Sequence, residues 1–86
     1  MATLPQGLPD VERLRWQCRR GLLELDYLLE AFLEQVYPHL DEQGRQSFVT
    51  LLRCHDPDLQ AWLLGQQMPS DAALAAIVAQ VRLVRP

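Results

Sequence analysis

The chain has 86 residues, which is the size of a single small domain. A chain this short buries only about 60–65% of the surface that its unfolded form exposes, so its core is small and a deep enzyme pocket is disfavoured. Apolar residues make up 49% of the sequence, which is typical of a globular protein. The net charge of −3 argues against a nucleic-acid partner, because phosphate recognition needs a basic surface. These properties favour a small protein-binding module.

The first nine residues contain two prolines and a glycine, so we expect residues 1–9 to form a flexible N-terminal tail. Residues 10–86 are predicted to form one helical domain. The tail carries no Lys or Arg and no long apolar run, which argues against a secretory signal or a transit peptide. No run of 18 apolar residues occurs in the sequence, so no membrane insertion is expected. Two cysteines are too few for a disulfide framework, and a cytoplasmic location is the simplest interpretation.

Capping residues and apolar stripes at a helical period predict the first two helices. Helix one follows an Asp10 N-cap and runs to about Arg20, with an inner stripe of three residues, Val11, Leu14 and Cys18. Gly21 then ends or bends the chain. Helix two spans about 22–37 and has the strongest stripe in the sequence, formed by Leu22, Leu25, Leu29, Phe32, Leu33 and Val36.

Three further helices are predicted in the same way. Helix three follows an Asp41 N-cap and turns Phe48, Leu51 and Leu52 inward. Helix four begins at an Asp56 N-cap, buries Leu59, Trp62 and Leu63, and ends at Gly65. Helix five follows residues 69–71 and aligns Leu74, Ile77, Val78 and Val81. No strand-like alternation competes, so the predicted fold is all-α, a compact bundle of five short helices.

Arginines are concentrated in helix one, where Arg13–Arg20 holds four of the eight, and the chain has no lysine. Arginine makes planar, bidentate contacts that lysine cannot, although codon bias alone also produces an all-arginine chain. Trp16 lies between Arg13 and Arg20 on the face opposite the inner stripe. Tryptophan and arginine are enriched among interface hot spots, which favours a partner-binding role for Trp16. The alternative is that Trp16 folds over helix two and closes the small core.

The junction between helices one and two is the second candidate for a binding surface. The outer side of helix two is less polar than a solvated face, because it carries Leu23, Tyr27 and Ala31. Arg20, Gly21, Glu24 and Tyr27 are therefore predicted to share one exposed patch, with Gly21 allowing another backbone to approach closely. The alternative is an ordinary C-cap glycine beside a local Arg20–Glu24 ion pair worth about 0–1 kcal/mol.

The other polar residues of the sequence do not predict a metal, catalytic or cofactor site. Cys54 and His55 lie beside Asp56 and Asp58 but lack metal-ligand spacing, and the acids are explained as a helix start, so no metal site is predicted. His39 has no identifiable acid or nucleophile partner, so no catalytic residue is assigned. The sequence has no GxGxxG and no P-loop, so no tightly bound cofactor is expected.

Taken together, these segments resemble the SdhE family of FAD assembly (flavinylation) factors of succinate dehydrogenase. The family signature Arg-Gly-x-x-Glu falls on Arg20, Gly21 and Glu24. It lies within Arg-Trp-x-Cys-Arg-Arg-Gly-x-x-Glu-Leu-Asp and is followed by Asp-Pro-Asp-Leu-x-x-Trp-Leu. The resemblance covers about residues 11–83.

The resemblance implies a five-helix bundle that is not an enzyme. Such factors promote covalent attachment of FAD to a histidine of the flavoprotein subunit of succinate dehydrogenase, and some also serve fumarate reductase. The FAD is then held by the partner and not by this chain, which we expect to be a monomer. The implied contacts are polar ones from Arg20 and Glu24 and close approach at Gly21, with four neighbours, Trp16, Arg19, Asp26 and Tyr27. The alternative function is a small helical adaptor or antitoxin-like regulator with a different protein partner.

Overall fold

The computed structural model describes residues 9–84, and most of this range is helical. The predicted tail lies outside the described residues except for Pro9. Within residues 9–84, five α-helices follow one another: α1 (Val11–Gln17), α2 (Leu23–Gln35), α3 (Glu42–Leu52), α4 (Asp56–Leu59) and α5 (Ala72–Arg82). A 3-10 turn, Tyr37–His39, follows α2, and a π-helical turn, Gln60–Leu64, continues α4. The described range contains no strand, so the predicted all-α, five-helix fold is confirmed.

The core forms where α2 meets α3 and α5. The Phe32 ring of α2 lies 5.0 Å from the Phe48 ring of α3, and both side chains are fully buried. Ile77 and Val78 of α5 are buried in the same core. The predicted stripes of these three helices are confirmed, since their residues are either buried or half-buried against this core. Ala31, which was predicted on the outer side of α2, is buried instead.

Three aspartates start helices by capping. The side chains of Asp10, Asp41 and Asp71 each accept a hydrogen bond from the backbone N–H three residues later, at 2.8–2.9 Å. A carboxylate in this position satisfies an otherwise unpaired donor and interacts favourably with the helix dipole. The predicted caps of α1 and α3 are therefore confirmed. No helix in the described residues is long and apolar enough to cross a membrane.

Two predictions about α1 are wrong. The helix ends at Gln17 and not near Arg20. The Cys18 N–H is shared between the carbonyls of Leu14 and Arg15, and the Arg19 N–H bonds three residues back to the Trp16 carbonyl, which tightens the chain into a turn. Val11 is exposed, so only Leu14 and Cys18 face the core. The shortened helix leaves five residues, 18–22, to make the connection to α2.

The start of α4 also differs from the prediction. The N-cap is His55, and Asp56 is the first helical residue, with its carboxylate directed to Arg20 instead of to the helix backbone. The helix ends at Gly65, as predicted, but only after the π-helical turn. Gly65 is required there because a Cβ at this position would lie 2.6 Å from the carbonyl oxygen of Ala61.

Candidate partner-binding site

The turn between α1 and α2 is held by an aspartate from the helix that follows it. The Asp26 carboxylate accepts a hydrogen bond from the backbone N–H of Arg20 at 2.7 Å and one from that of Gly21 at 3.3 Å. Gly21 has a φ of +80°, in the left-handed region that non-glycine residues rarely adopt. The turn is thus closed by one side chain and depends on one glycine.

The Arg20 side chain points inward and ties this turn to the loop between α3 and α4. Its Nε donates to the Asp56 carboxylate at 2.8 Å. Its Nη1 donates to the carbonyls of Gln17 and Leu52, each at 2.9 Å, and its Nη2 donates to the Cys54 carbonyl at 2.7 Å. A guanidinium carries five N–H groups, so these four bonds leave one, on Nη2.

The Arg20–Asp56 ion pair is more protected than a surface pair. The Arg20 side chain is 15% exposed and that of Asp56 41% exposed. Three backbone carbonyls surround the same guanidinium, and a charged donor makes each of these bonds stronger than a neutral one. The alternative predicted for this residue, an ion pair with Glu24, is not formed.

Apolar side chains next to this turn point outward. Leu23 is 85% exposed, Trp16 70% and Tyr27 57%, which places all three among the large apolar residues that do not enter the core. Trp16 therefore does not fold over α2 to close the core. Leu23 and Tyr27 are four residues apart on one helix and so lie side by side.

Arg19 joins the two sides of this exposed surface, Trp16 on α1 and Glu30 on α2. The Arg19 guanidinium lies 5.7 Å from the centre of the Trp16 ring and 3.4 Å from the Glu30 carboxylate on α2. Glu24 is exposed, and its carboxylate makes no hydrogen bond or ion pair with the residues that the structure describes. We use the name signature patch for the exposed residues of this surface: Trp16, Arg19, Gly21, Leu23, Glu24 and Tyr27.

The two thiols near this surface are held in the protonated form. Burial raises the pKa of the Cys18 thiol to about 12, and nearby Glu30 acts in the same direction. The pKa of Cys54 is also raised, by burial first and by Asp58 second, although Arg20 opposes the shift. Neither thiol is therefore a nucleophile at neutral pH. Among the described residues, no group of His, Cys, Asp or Glu side chains is arranged to hold a metal ion.

Comparison with known proteins identifies the family. The family model described as "Flavinator of succinate dehydrogenase" matches residues 12–85. The chain belongs to this family. A relative from Shewanella oneidensis named FAD assembly factor SdhE is 45% identical over 75 residues, which is 87% of this chain and 92% of the relative.

Two further relatives of this flavinator family carry the same name. The Idiomarina loihiensis protein is 48% identical over 73 residues, covering 85% of this chain and 81% of its own. The Pseudomonas aeruginosa protein is 42% identical over 72 residues, covering 84% and 86%. The resemblance found in the sequence is thereby confirmed over most of the chain.

The residues of the family signature do not all point the same way in the structure. Gly21 and Glu24 lie on the surface with Trp16, Arg19 and Tyr27, as predicted. The prediction that Arg20 shares the exposed patch is wrong, because its side chain is 15% exposed and its guanidinium bonds within the chain. The Asp26 carboxylate likewise bonds to the backbone of the turn. A contact between Arg20 and a partner stays a prediction. The bonds to the described residues leave one Nη2 N–H of Arg20 for such a contact.

Two residues of this site were missed or undervalued in the sequence. The sequence places Leu23 on the outer side of α2 without assigning it to the site, yet Leu23 is the most exposed large apolar residue described. The sequence does carry a signal for this exposure, because Leu23 is apolar but lies outside the α2 stripe. The sequence predicts Asp56 as a helix cap, and the pairing of Asp56 with Arg20, 36 residues earlier, has no signal in a single sequence.

Proposed function

We propose that this protein binds the flavoprotein subunit of succinate dehydrogenase through the signature patch and promotes covalent attachment of FAD to that subunit. The observation that carries the proposal is the intact family signature at the α1–α2 turn. Gly21 and Glu24 are exposed there, and hydrogen bonds from Arg20 to Asp26 and Asp56 hold the turn in place. Membership of the flavinator family, together with relatives named FAD assembly factor, supports the same conclusion.

The role suits a rigid surface better than a pocket. FAD supplies the reactive isoalloxazine ring, and the flavoprotein supplies the histidine to which it becomes attached. A factor that holds the flavoprotein with these two groups in attack geometry removes much of the entropic part of the barrier. In this proposal the protein is not itself an enzyme. It acts as a cytoplasmic monomer on FAD held by its partner and binds no FAD tightly on its own. The related flavoprotein of fumarate reductase is a second client.

The patch offers a partner three kinds of contact. Trp16, Leu23 and Tyr27 present apolar surface, and aromatic residues of this kind are enriched among binding hot spots. Glu24 presents a carboxylate without a partner among the described residues, which suits an arginine or lysine on the flavoprotein. Gly21 has no side chain and a Cβ there would meet nothing within 4 Å, so a partner backbone has room to approach.

Glu24 gives the sharpest test of this binding mode. Glu24→Gln removes the charge while keeping the shape, so we expect its affinity for the apo-flavoprotein subunit to fall about tenfold, or about 1.4 kcal/mol. The matched control is Glu42→Gln, because Glu42 is also exposed and also lies in the first turn of a helix. Its affinity should stay within about twofold of wild type.

Titration of labelled apo-flavoprotein by fluorescence anisotropy measures both affinities. Equal affinities for the two variants would show that the signature carboxylate does not contribute to binding. Capture of a different main partner from cell extract, with no flavoprotein, would favour the adaptor or antitoxin-like function instead.

A further inference from the structure

We propose that Asp56 is a positioning residue for flavinylation, which acts through Arg20 to hold the α1–α2 turn in the shape that the flavoprotein binds. The inference rests on the proposed function and deepens it, because Asp56 lies outside the Arg-Gly-x-x-Glu signature. In this proposal the Arg20 side chain holds the turn within the protein, whereas Gly21 and Glu24 contact the flavoprotein.

The first step is the geometry of the guanidinium. Arg20 immediately precedes Gly21, and its side chain is anchored to the α3–α4 region at three points: the Leu52 carbonyl, the Cys54 carbonyl and the Asp56 carboxylate. Of these three acceptors only Asp56 is a side chain, so only it can be changed by mutation without altering the backbone path.

The second step is charge. The two carbonyls carry no net charge, and the Asp56 carboxylate at 2.8 Å is the one acidic group that forms an ion pair with Arg20 among the described residues. Because the Arg20 side chain is mostly buried, a guanidinium without this partner would be left partly desolvated and uncompensated. Loss of Asp56 therefore favours rotation of Arg20 towards water, which releases the turn that it anchors.

The third step links the anchor to the patch. The Asp26 carboxylate accepts a hydrogen bond from the backbone N–H of Arg20, and the Asp56 carboxylate accepts one from the Arg20 guanidinium. Gly21 follows directly in a left-handed conformation, and Glu24 lies one helical turn further on. When the Arg20 side chain is released, the hydrogen bonds that Arg20 and Gly21 donate to Asp26 are the ones left, among the described residues, to fix the orientation of Gly21.

The chain provides a matched control for this residue. Asp58 is also in the first turn of α4 and so interacts similarly with the helix dipole, but it makes no hydrogen bond or ion pair with the described residues. A difference between Asp56→Ala and Asp58→Ala therefore reports the contact with Arg20 and not the stability of the helix start.

The experiment measures the initial rate of covalent flavin formation on the succinate dehydrogenase flavoprotein as the concentration of each variant is raised, well below every variant's melting temperature. For Asp56→Ala we expect the half-saturating concentration to rise about tenfold, or about 1.4 kcal/mol, with the maximal rate unchanged. Asp58→Ala should stay within about twofold of wild type. In an Arg20→Lys background, Asp56→Ala should have an effect below about twofold, because lysine cannot hold the same set of acceptors.

A second measurement needs no partner. In the free protein, Asp56→Ala should shift the backbone amide resonances of Arg20 and Gly21, whereas Asp58→Ala should leave them unchanged. A raised half-saturating concentration without these shifts would mean that Asp56 contacts the flavoprotein directly, and it would overturn the positioning role. If Asp56→Ala does not fold, Asp56→Asn, which keeps an acceptor oxygen but loses the charge, takes its place in both measurements.

The outcomes separate the two proposals. If wild-type protein forms no covalent flavin, the proposed function fails and this inference fails with it. If wild type is active and the Asp56 and Asp58 variants have the same half-saturating concentration, the proposed function stands and the positioning role of Asp56 is overturned.

Discussion

At the α1–α2 turn, Gly21 combines two properties that are usually hard to separate. Its φ of +80° disfavours any side chain, and the space where a Cβ would stand is empty. The first property concerns the stability of the folded chain. The second leaves open space that a partner can enter, so two substitutions can distinguish the two roles.

Gly21→Ala should lower the free energy of unfolding by about 1–2 kcal/mol, because alanine is strained in the left-handed region. Gly21→Asn should cost less, since asparagine tolerates this conformation. Urea denaturation measures both values. Equal stability of Gly21→Ala and wild type would show that the turn readily adopts another conformation. If folded Gly21→Asn binds the flavoprotein as tightly as wild type, close approach at Gly21 is not needed.

Cys18 gives the chain a dependence on alkaline pH. Burial raises its pKa from an ordinary value of 9.0 to about 12, so between these values the unfolded chain loses a proton that the folded chain keeps. Stability from this group is fully present below pH 9 and falls as the pH rises towards 12. Deprotonation of Tyr37, whose pKa burial also raises, acts in the same direction.

We therefore expect the unfolding free energy of wild type to fall between pH 8 and pH 10 by on the order of 1 kcal/mol more than that of Cys18→Ala. Urea titrations of the two proteins at both pH values measure this difference, and the comparison removes the contribution of the tyrosines. Parallel pH profiles would show that the Cys18 thiolate is tolerated in the folded protein.

At the scale of the helices, α4 changes from α-helical to π-helical geometry before it stops. The Gly65 N–H bonds to the Gln60 carbonyl and the Gln67 N–H to the Ala61 carbonyl, and these bonds close the end of the helix. The chain passes so close to Ala61 that a Cβ on Gly65 would meet backbone oxygen. The turn also sets the direction from which the chain approaches α5.

Gly65→Ala should consequently destabilise the protein by about 1–3 kcal/mol, because the contact is with backbone and cannot be relieved by rotating a side chain. The matched variant is Gly44→Ala in α3, where the nearest atoms belong to the side chains of Leu40 and Asp41 at 3.2 Å. A contact at 3.2 Å requires a shift of only a few tenths of an ångström, and alanine has the higher helix propensity, so the stability of Gly44→Ala should stay within about 1 kcal/mol of wild type. Thermal unfolding of the two variants tests the difference, and a smaller loss for Gly65→Ala than for Gly44→Ala would contradict it.

The helices themselves were largely predictable from sequence, but their ends were less so. The α2, α3 and α5 stripes follow a 3.6-residue period, and burial of one face enforces that period. The turn that follows α1 depends on Asp26 reaching back to the Arg20 and Gly21 backbone, and the start of α4 depends on Arg20 attracting Asp56. Both are contacts between segments, and a single sequence carries no periodic signal for either of them.

For the whole molecule, the same limit applies to the candidate site. The outward Trp16 and the apolar outer side of α2 were identifiable from sequence because they do not fit the core pattern, and the signature residues were identifiable through the resemblance to a known family. The inward direction of Arg20 was not, since it depends on two carbonyls and a carboxylate from a distant loop. The five-helix bundle acts as a support, and the signature patch that it presents is assembled from α1, α2 and the turn between them.

The most direct test of the proposed function is the amount of covalent flavin on the succinate dehydrogenase flavoprotein, read as in-gel fluorescence after denaturation. Apo-flavoprotein and FAD are incubated alone, with wild-type protein, with Glu24→Ala and with the matched variant Glu42→Ala. The account predicts strong fluorescence with wild type and Glu42→Ala, and little with folded Glu24→Ala or with no protein. Equal fluorescence with and without the protein would contradict it.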